Sequence, residues 1–416
     1  MLEFKEYFKY ILLFALSQIN FLLLPVYTRN LSVSEFGLLE LSFSTLNMLA
    51  IFFSFGLHQY VGIKYFKVQN KSKMITLFSY YYIFLSLPLV IISLVIGYLY
   101  GDRFEFTFQN IIIIVISAFV INFRHLILSV FNMSYRTDLY LKYVVISMLV
   151  IVGLISLLHY ISFTVENIML VFLIGNLIFF AYPYSKKDEI QNYLHNAHFE
   201  KEKIFKIMKI SIHLLIIGFL HNGLGIQDRY FLSLMLGNEQ VGIYSLAHKM
   251  SNALYVLLAF MISNLYIRSI YSQLGKDRNK IYELYIQNIK LVFILIFVFG
   301  IIFIGYYYFL LEFSSVFINI YSESYYSLSK YLLVSFYLQT MFTFFAFVIL
   351  FLEKVIIQAI IYLVALIINA IGNYIFIGEF GTLGAVYMTI ITNIYLFIAF
   401  IFVSFNVVKK YKIKYA

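Results

Sequence analysis

Apolar residues run along this chain in long stretches, broken by short polar segments. Runs of 18 or more apolar residues with few charges predict membrane-spanning helices, since about 20 residues at 1.5 Å each cross a hydrocarbon layer about 30 Å thick. Twelve such runs are placed at residues 10–28, 38–60, 75–100, 108–131, 141–160, 165–184, 209–227, 241–266, 286–311, 328–352, 355–377 and 382–407. Backbone groups in lipid must pair internally, and no stretch alternates with a period of two. Helices are therefore expected rather than a barrel. The fold class is an all-α integral membrane protein of about twelve transmembrane helices.

Charge then orients the spans. Residues 64–73, 136–142, 186–209, 268–290 and 409–414, with Lys5, Lys9 and Lys354, hold 24 of the 30 Lys and Arg, all on one side if the spans alternate. The other side carries Glu35, Asp102, Glu105, Glu166, Glu239, Glu312, Glu323 and Glu379. By the positive-inside rule both termini are cytoplasmic, which requires an even number of spans. The same distribution accounts for the net charge of +10, with the basic residues scattered over short loops rather than gathered as a nucleic-acid surface. Two juxtamembrane basic stretches, "QNKSKM" and "KKYKIKY", serve as topology determinants and can also meet anionic lipid head groups.

The longest cytoplasmic connection, residues 185–209, divides the chain into a six-helix half at 1–190, a charged linker at 191–208 and a second six-helix half at 209–416. At an offset of 205 the halves match at Gly37/Gly242, Leu41/Leu246, Asn47/Asn252 and Leu49/Leu254. Repeats of six spans share one orientation, and transporters built this way carry their cargo between the halves.

Composition narrows the chemistry. Of 416 residues 62% are hydrophobic and 12% charged, with mean hydropathy +0.89, where a soluble domain carries roughly a quarter charged residues. Cysteine is absent, which removes disulfides, thiolate metal sites and Cys nucleophiles. Tryptophan is absent too, so the 38 Tyr must supply the interfacial aromatic belt. Residues 1–9 are of mixed charge and lead into a span with no small-residue cleavage site, so no cleavable signal is expected. Enzyme signatures fail. Gly237–Gly242 has phosphate-loop spacing, but Ile243 and Tyr244 stand where Lys and Ser/Thr are required, and there is no HExxH and no GxSxG. The eight His are dispersed, giving no metal-ligand spacing and no cofactor motif. The longest external loop, 311–327, leaves little room for a catalytic domain.

Ionisable residues in or beside spans carry the most information, because each is expensive in hydrocarbon and tends to face an aqueous interior. Arg29 ends the first span, His58 and Lys64 end the second, and Arg124 lies deep in the fourth. Asp228 and Arg229 end the seventh, as a local ion pair or with Asp228 as an ion-coupling carboxylate, and Lys249 lies well inside the eighth. Arg29, Lys64, Arg124, Arg229 and Lys249 are the candidates for a cationic cavity, with interfacial snorkelling the alternative for Arg29, Lys64 and Arg229, and with His58, Asn47 and Asn252 as candidate polar positions. Guanidinium and ammonium groups at low dielectric suit an anionic cargo. Pro25 and Pro88 lie within spans, each freeing a backbone carbonyl, and Pro25 is placed for a functional bend. Gly97-x-x-x-Gly101 serves either a close helix approach or a helix end.

Two regions carry a family resemblance. "LLPVYTRNLSVSEFGLLEL" at residues 23–41, followed by "FGLHQYVGIKYF", resembles the N-terminal signature of the polysaccharide-biosynthesis exporters. "QDRYFLSLMLGNEQVGIYSLAHKM" at residues 227–250 is similar to their second-half signature. These are the bacterial Wzx-type lipid-linked oligosaccharide flippases of the MOP superfamily, which also holds the MATE drug exporters and the lipid II flippase. The resemblance implies a MATE-like fold and translocation of an undecaprenyl-diphosphate-linked O-antigen, capsule or exopolysaccharide repeat unit across the bacterial inner membrane. It also implies glycan polymerase or assembly proteins as partners. Only Arg29 and Asp228–Arg229 carry over by motif, whereas Arg124 and Lys249 follow from membrane depth. The alternatives are a MATE-type cation-coupled exporter, which would want buried Asp or Glu for cationic cargo, and a membrane glycan polymerase or ligase, which would want a long catalytic loop.

Overall fold

A computed structural model describes residues 19–57, 71–133, 137–181, 201–262, 297–310, 322–352 and 354–415, with residues 286, 289, 290 and 294. The described residues form thirteen helices: α1 Ile19–Leu22, α2 Leu24–Asn30, α3 Val33–Ser54, α4 Lys71–Tyr100, α5 Phe108–Met133, α6 Thr137–Ile161, α7 Val165–Leu177, α8 Lys201–Leu236, α9 Asn238–Met261, α10 Phe297–Leu310, α11 Ser322–Phe351, α12 Val355–Phe380 and α13 Thr382–Tyr415. Seven of them are long and apolar enough to cross a membrane by length and composition.

The N-terminal signature has a local structural meaning. Ser32 and Glu35 form a capping box that starts α3: Glu35 N donates to Ser32 Oγ at 3.3 Å, and Ser32 N donates to Glu35 Oε2 at 2.8 Å. Orphan N–H groups are thereby satisfied where the chain enters the helix. The cap begins α3 at Val33, five residues before the expected span. Phe55 (φ 44°) and Gly56 (φ 68°) end it in the left-handed region. Pro25, without an N–H, stands in the first turn of α2, and the helix breaks at Leu23 between α1 and α2. Pro88, by contrast, lies inside the unbroken α4. Pro183, His58 and Lys64 lie outside the described residues.

The chain forms two compact units, residues 1–222 and 223–416, with the division inside α8. In the first unit α5 is central, packing against α3, α4, α6 and α7. Gly97 and Gly101 both lie against Ile111 of α5, and Gly101 also ends α4, so the pair serves the close approach and the helix end together. Ser147 Oγ of α6 donates to Gly175 O of α7 at 2.7 Å. In the second unit α13 packs against α11 and α12, and α9 against α11.

The outward surface is apolar. On α4, Ile91 is 63% and Leu99 64% exposed, which in water would be a severe aggregation liability and in lipid is the favourable state. Exposed Tyr98, Tyr100 and Tyr160 stand near the ends of α4 and α6, and Arg103 lies over the Tyr100 ring at 5.4 Å, as the Tyr-built belt requires.

Lipid provides little drive for one apolar helix to prefer another, so close packing at small residues holds such helices together. Gly384 of α13 faces the Phe376 backbone so closely that a Cβ has no space, and backbone cannot rotate away. Gly384→Ala is expected to lower stability in detergent by about 1–3 kcal/mol, read as a fall in thermal midpoint. Gly153→Ala, where a Cβ meets nothing within 4 Å, is expected to leave it unchanged.

Candidate functional site

Each unit holds a cluster of polar side chains among the described residues. In the first unit, α1, α3, α5, α6 and α7 enclose a cavity of about 370 Å³. Its polar lining is Asn20, Asn47, Arg124, His125, Ser129, Tyr140 and Asn176, and no Asp or Glu lines it among the described residues. Arg124 projects from the central α5 and is half-buried. Its NH1 donates to Asn176 Oδ1 at 2.8 Å, and its guanidinium lies over the Phe179 ring at 5.2 Å. The Asn176 amide is oriented by its own Nδ2, which donates to Phe172 O at 2.6 Å one turn back on α7. Arg124 Nε is buried with no partner.

In the second unit the expected end of the seventh span is a helix interior. α8 continues to Leu236 and stops only at Gly237, whose φ of 88° favours glycine. Asp228 and Arg229 therefore lie about two turns inside the helix, 1% and 5% exposed. Adjacent helical positions point about 100° apart, and each residue has its own partners. Asp228 Oδ2 accepts from Tyr244 Oη of α9 at 2.6 Å and from Thr389 Oγ1 of α13 at 2.8 Å. Its Oδ1 accepts from Asn373 Nδ2 of α12 at 2.6 Å. The network runs on through Asn373 to Asn369, which also accepts from Gln227 and donates to Thr392. Arg229 donates from Nε to Ser245 Oγ at 2.9 Å and from NH1 to Gly225 O at 2.9 Å, and NH2 lies 3.3 Å from His248 Nδ1. Asp228 and Arg229, adjacent on α8, thus have separate sets of hydrogen-bond partners.

Counting protons shows what the Asp228 cluster can do. Thr389 has one hydroxyl proton but lies 2.8 Å from both Asp228 Oδ2 and Ala385 O. With the carboxylate ionised, that proton goes to Asp228. With the carboxyl protonated, Asp228 donates to Thr389 and Thr389 donates to Ala385 O. Both states fit the same heavy-atom positions. Asn373 Oδ1 is buried without a partner, which adds a further oxygen beside this group. Among the described residues no three His, Cys, Asp or Glu gather as a metal cluster.

Of the sequence-derived candidates, Asn47 and Arg124 line the cavity of the first unit, while Arg29 is exposed at the end of α2. Lys249 and Asn252 are half-buried on α9. Sequence reasoning missed Asn20, His125, Ser129, Tyr140 and Asn176 in the first unit, and Tyr244, Ser245, His248, Asn369, Asn373 and Thr389 in the second. It also missed Glu40, a carboxylate only 2% exposed on α3. The available signal was Asn369 and Asn373 at i, i+4 in an otherwise apolar run, a single polar stripe on one helix face.

The helical architecture and its apolar surface define a multi-pass membrane protein, and comparison places its fold. A multidrug resistance MATE family transporter of the MOP superfamily, in its inward-facing conformation, matches with TM-score 0.69 and 13% identity over 96% of each chain. The outward-facing conformation matches with TM-score 0.63 and 14% identity over 98% of this chain and 96% of that one. The lipid II flippase MurJ, inward closed, matches with TM-score 0.64 and 17% identity over 96% of this chain and 90% of that one. The fold is MATE-like, as the family resemblance implies, and about twelve helices is the number expected from the hydropathy pattern. The family model for polysaccharide biosynthesis protein matches residues 7–267, and the chain belongs to that family. Both signature regions lie within the match. No curated protein sequence matches the chain.

Tyr244→Phe removes a donor from the buried Asp228 carboxylate and is expected to cost about 1.5–3 kcal/mol, read as a lower thermal midpoint of the purified protein. Tyr374→Phe, at a ring 69% exposed, is expected to change nothing measurable.

Proposed function

We propose that the protein is a flippase that moves an undecaprenyl-diphosphate-linked oligosaccharide, the repeat unit of an O-antigen, capsule or exopolysaccharide, from the cytoplasmic to the periplasmic leaflet of the bacterial inner membrane. Both termini are cytoplasmic in this reading, and transport proceeds by alternating access with no chemical step on the cargo. One observation carries it: a member of the polysaccharide biosynthesis protein family has an arginine, with no lining carboxylate among the described residues, in a cavity of its membrane-embedded bundle.

The cargo is the diphosphate anion with its sugars, and Arg29, Lys64, Arg124 and Lys249 are its cationic contacts, with Asn47, His58 and Asn252 as polar neighbours. Arg229 takes another part, because each of its three nitrogens already meets a protein group, Ser245, Gly225 or His248. Asp228 is the coupling carboxylate, since its network accepts a proton with no rearrangement of heavy atoms and its oxygen surroundings suit a hard cation. Glycan polymerase or assembly proteins are the expected partners.

The MATE-like fold keeps cation-coupled drug export as a second reading. A cationic drug would enter the Arg124 cavity against like charge, which weighs toward the flippase.

Deleting the gene in a strain without a redundant exporter is expected to strand lipid-linked oligosaccharide on the cytoplasmic leaflet, and unchanged surface glycan would overturn the reading. Arg124→Ala and Lys249→Ala are each expected to reduce export about tenfold or more while the protein still inserts, as measured by surface glycan against membrane protein level.

A further inference from the structure

The Arg124 cavity has a feature that a generally cationic lumen would not need. A charge held in a low-dielectric interior is costly unless it is paired and its hydrogen-bonding capacity is met. Arg124 has one hydrogen bond, from NH1 to Asn176, and one ring face, Phe179. No carboxylate partners it among the described residues, and its Nε is buried with nothing to receive its proton. The guanidinium is also held in place. Asn176 is pinned to α7 by its bond to Phe172 O, which fixes the direction of NH1. The Phe179 ring then covers one face of the plane. The edge left over is the Nε–NH2 side, whose two N–H bonds run parallel and match two oxygens of a single oxyanion.

We propose that this cavity is a binding site for one oxyanion group, engaged side-on by Nε and NH2 of Arg124. The neighbouring lining supports an anion. Ser129 and Tyr140 bring hydroxyls, and His125 brings a ring nitrogen. Asn20 lines the cavity with its Oδ1 buried and unpartnered, and turning that amide end for end presents Nδ2 to an anion. At about 370 Å³ the cavity lies at the small end of ligand pockets, which run from about 300 to 1,000 Å³. It takes an anionic group and its immediate attachment, and the rest of an oligosaccharide stays outside it. The oxyanion is a phosphate of the lipid diphosphate or the carboxylate of an acidic sugar. That natural source rests on the flippase reading, whereas the site itself rests on the geometry.

Isothermal titration of the purified full-length protein in detergent tests the site, with inorganic pyrophosphate and glucuronate as separate probes. Saturable binding of pyrophosphate alone assigns the site to the diphosphate, and preferential binding of glucuronate assigns it to an acidic sugar. Arg124→Lys keeps the charge but loses the fork, so it is expected to weaken binding about tenfold or more, as is Arg124→Ala. Asn176→Ala, which frees NH1, is expected to weaken it less than either. Binding of neither probe overturns the proposal, as does full-affinity binding in Arg124→Ala. Full-affinity binding in Arg124→Lys overturns the side-on fork. The two readings separate: Arg124-dependent binding with unchanged glycan export in the deletion strain removes the flippase and keeps the site. Loss of export on deletion, with Arg124→Ala fully active and no anion bound, does the reverse.

Discussion

A polar group in hydrocarbon has no water to turn to, and this constraint explains more of the molecule than any single contact. Backbone groups meet it by forming helices, and helix ends meet it with caps such as Ser32–Glu35. Side chains meet it in the second unit through the Asp228 cluster, where a tyrosine, a threonine and an asparagine from three other helices donate to one carboxylate. Removing a donor there leaves a buried carboxylate short of a partner, a greater cost than the net worth of an ordinary hydrogen bond. The cluster therefore ties α8, α9, α12 and α13 to one arrangement more firmly than their interchangeable apolar surfaces would.

The same constraint separates the two arginines. Arg229 has every nitrogen directed at a protein group, so its charge is accounted for within the fold. Arg124 is oriented by Asn176 and Phe179 and lines a cavity, with its Nε buried and without a hydrogen-bond partner. A guanidinium held in this way is ordered before any ligand meets it. Preorganisation lowers the cost of binding because the side chain is already ordered.

How much of this was legible in the sequence follows from which forces act locally. Span positions and helical character were legible because hydropathy over 20 residues is a property of the segment itself. α4, α5, α6, α12 and α13 lie where the apolar runs put them. The ends were less legible, since they depend on single residues. The Ser32–Glu35 box starts α3 early, and Gly237 lets α8 run past Asp228. That second shift altered the chemistry, turning a residue pair expected at an interface into two buried centres. The family signature was legible as a pattern, but part of it, the Leu-Ser followed by an acidic residue, is a helix start rather than a cargo contact. Depth along a helix pointed to Arg124. Its partner Asn176 lies 52 residues away, and nothing local marks that asparagine out from the others.

Charge placement sets what each polar centre is able to do. The Asp228 carboxylate has both oxygens hydrogen-bonded, and the change open to it without breaking the packing is gain or loss of a proton, or exchange of that proton for a small cation. It is suited to sensing ionic conditions and unsuited to holding a large anion. The Arg124 cavity is the converse: it has room, a guanidinium and no acid in its lining among the described residues. A transporter that couples an ion to an anionic cargo needs these two properties in separate places, because a carboxylate within reach of the guanidinium would compete with the cargo for the same donors. The lone buried acid of the first unit, among the described residues, sharpens the point. Glu40 is on α3 but is absent from the cavity lining, although Phe43, Leu46 and Asn47 of the same helix line it. Glu40 and Asn47 are seven residues apart and share one face of α3, so it is distance along the helix, about two turns, that separates the acid from the amide that lines the cavity.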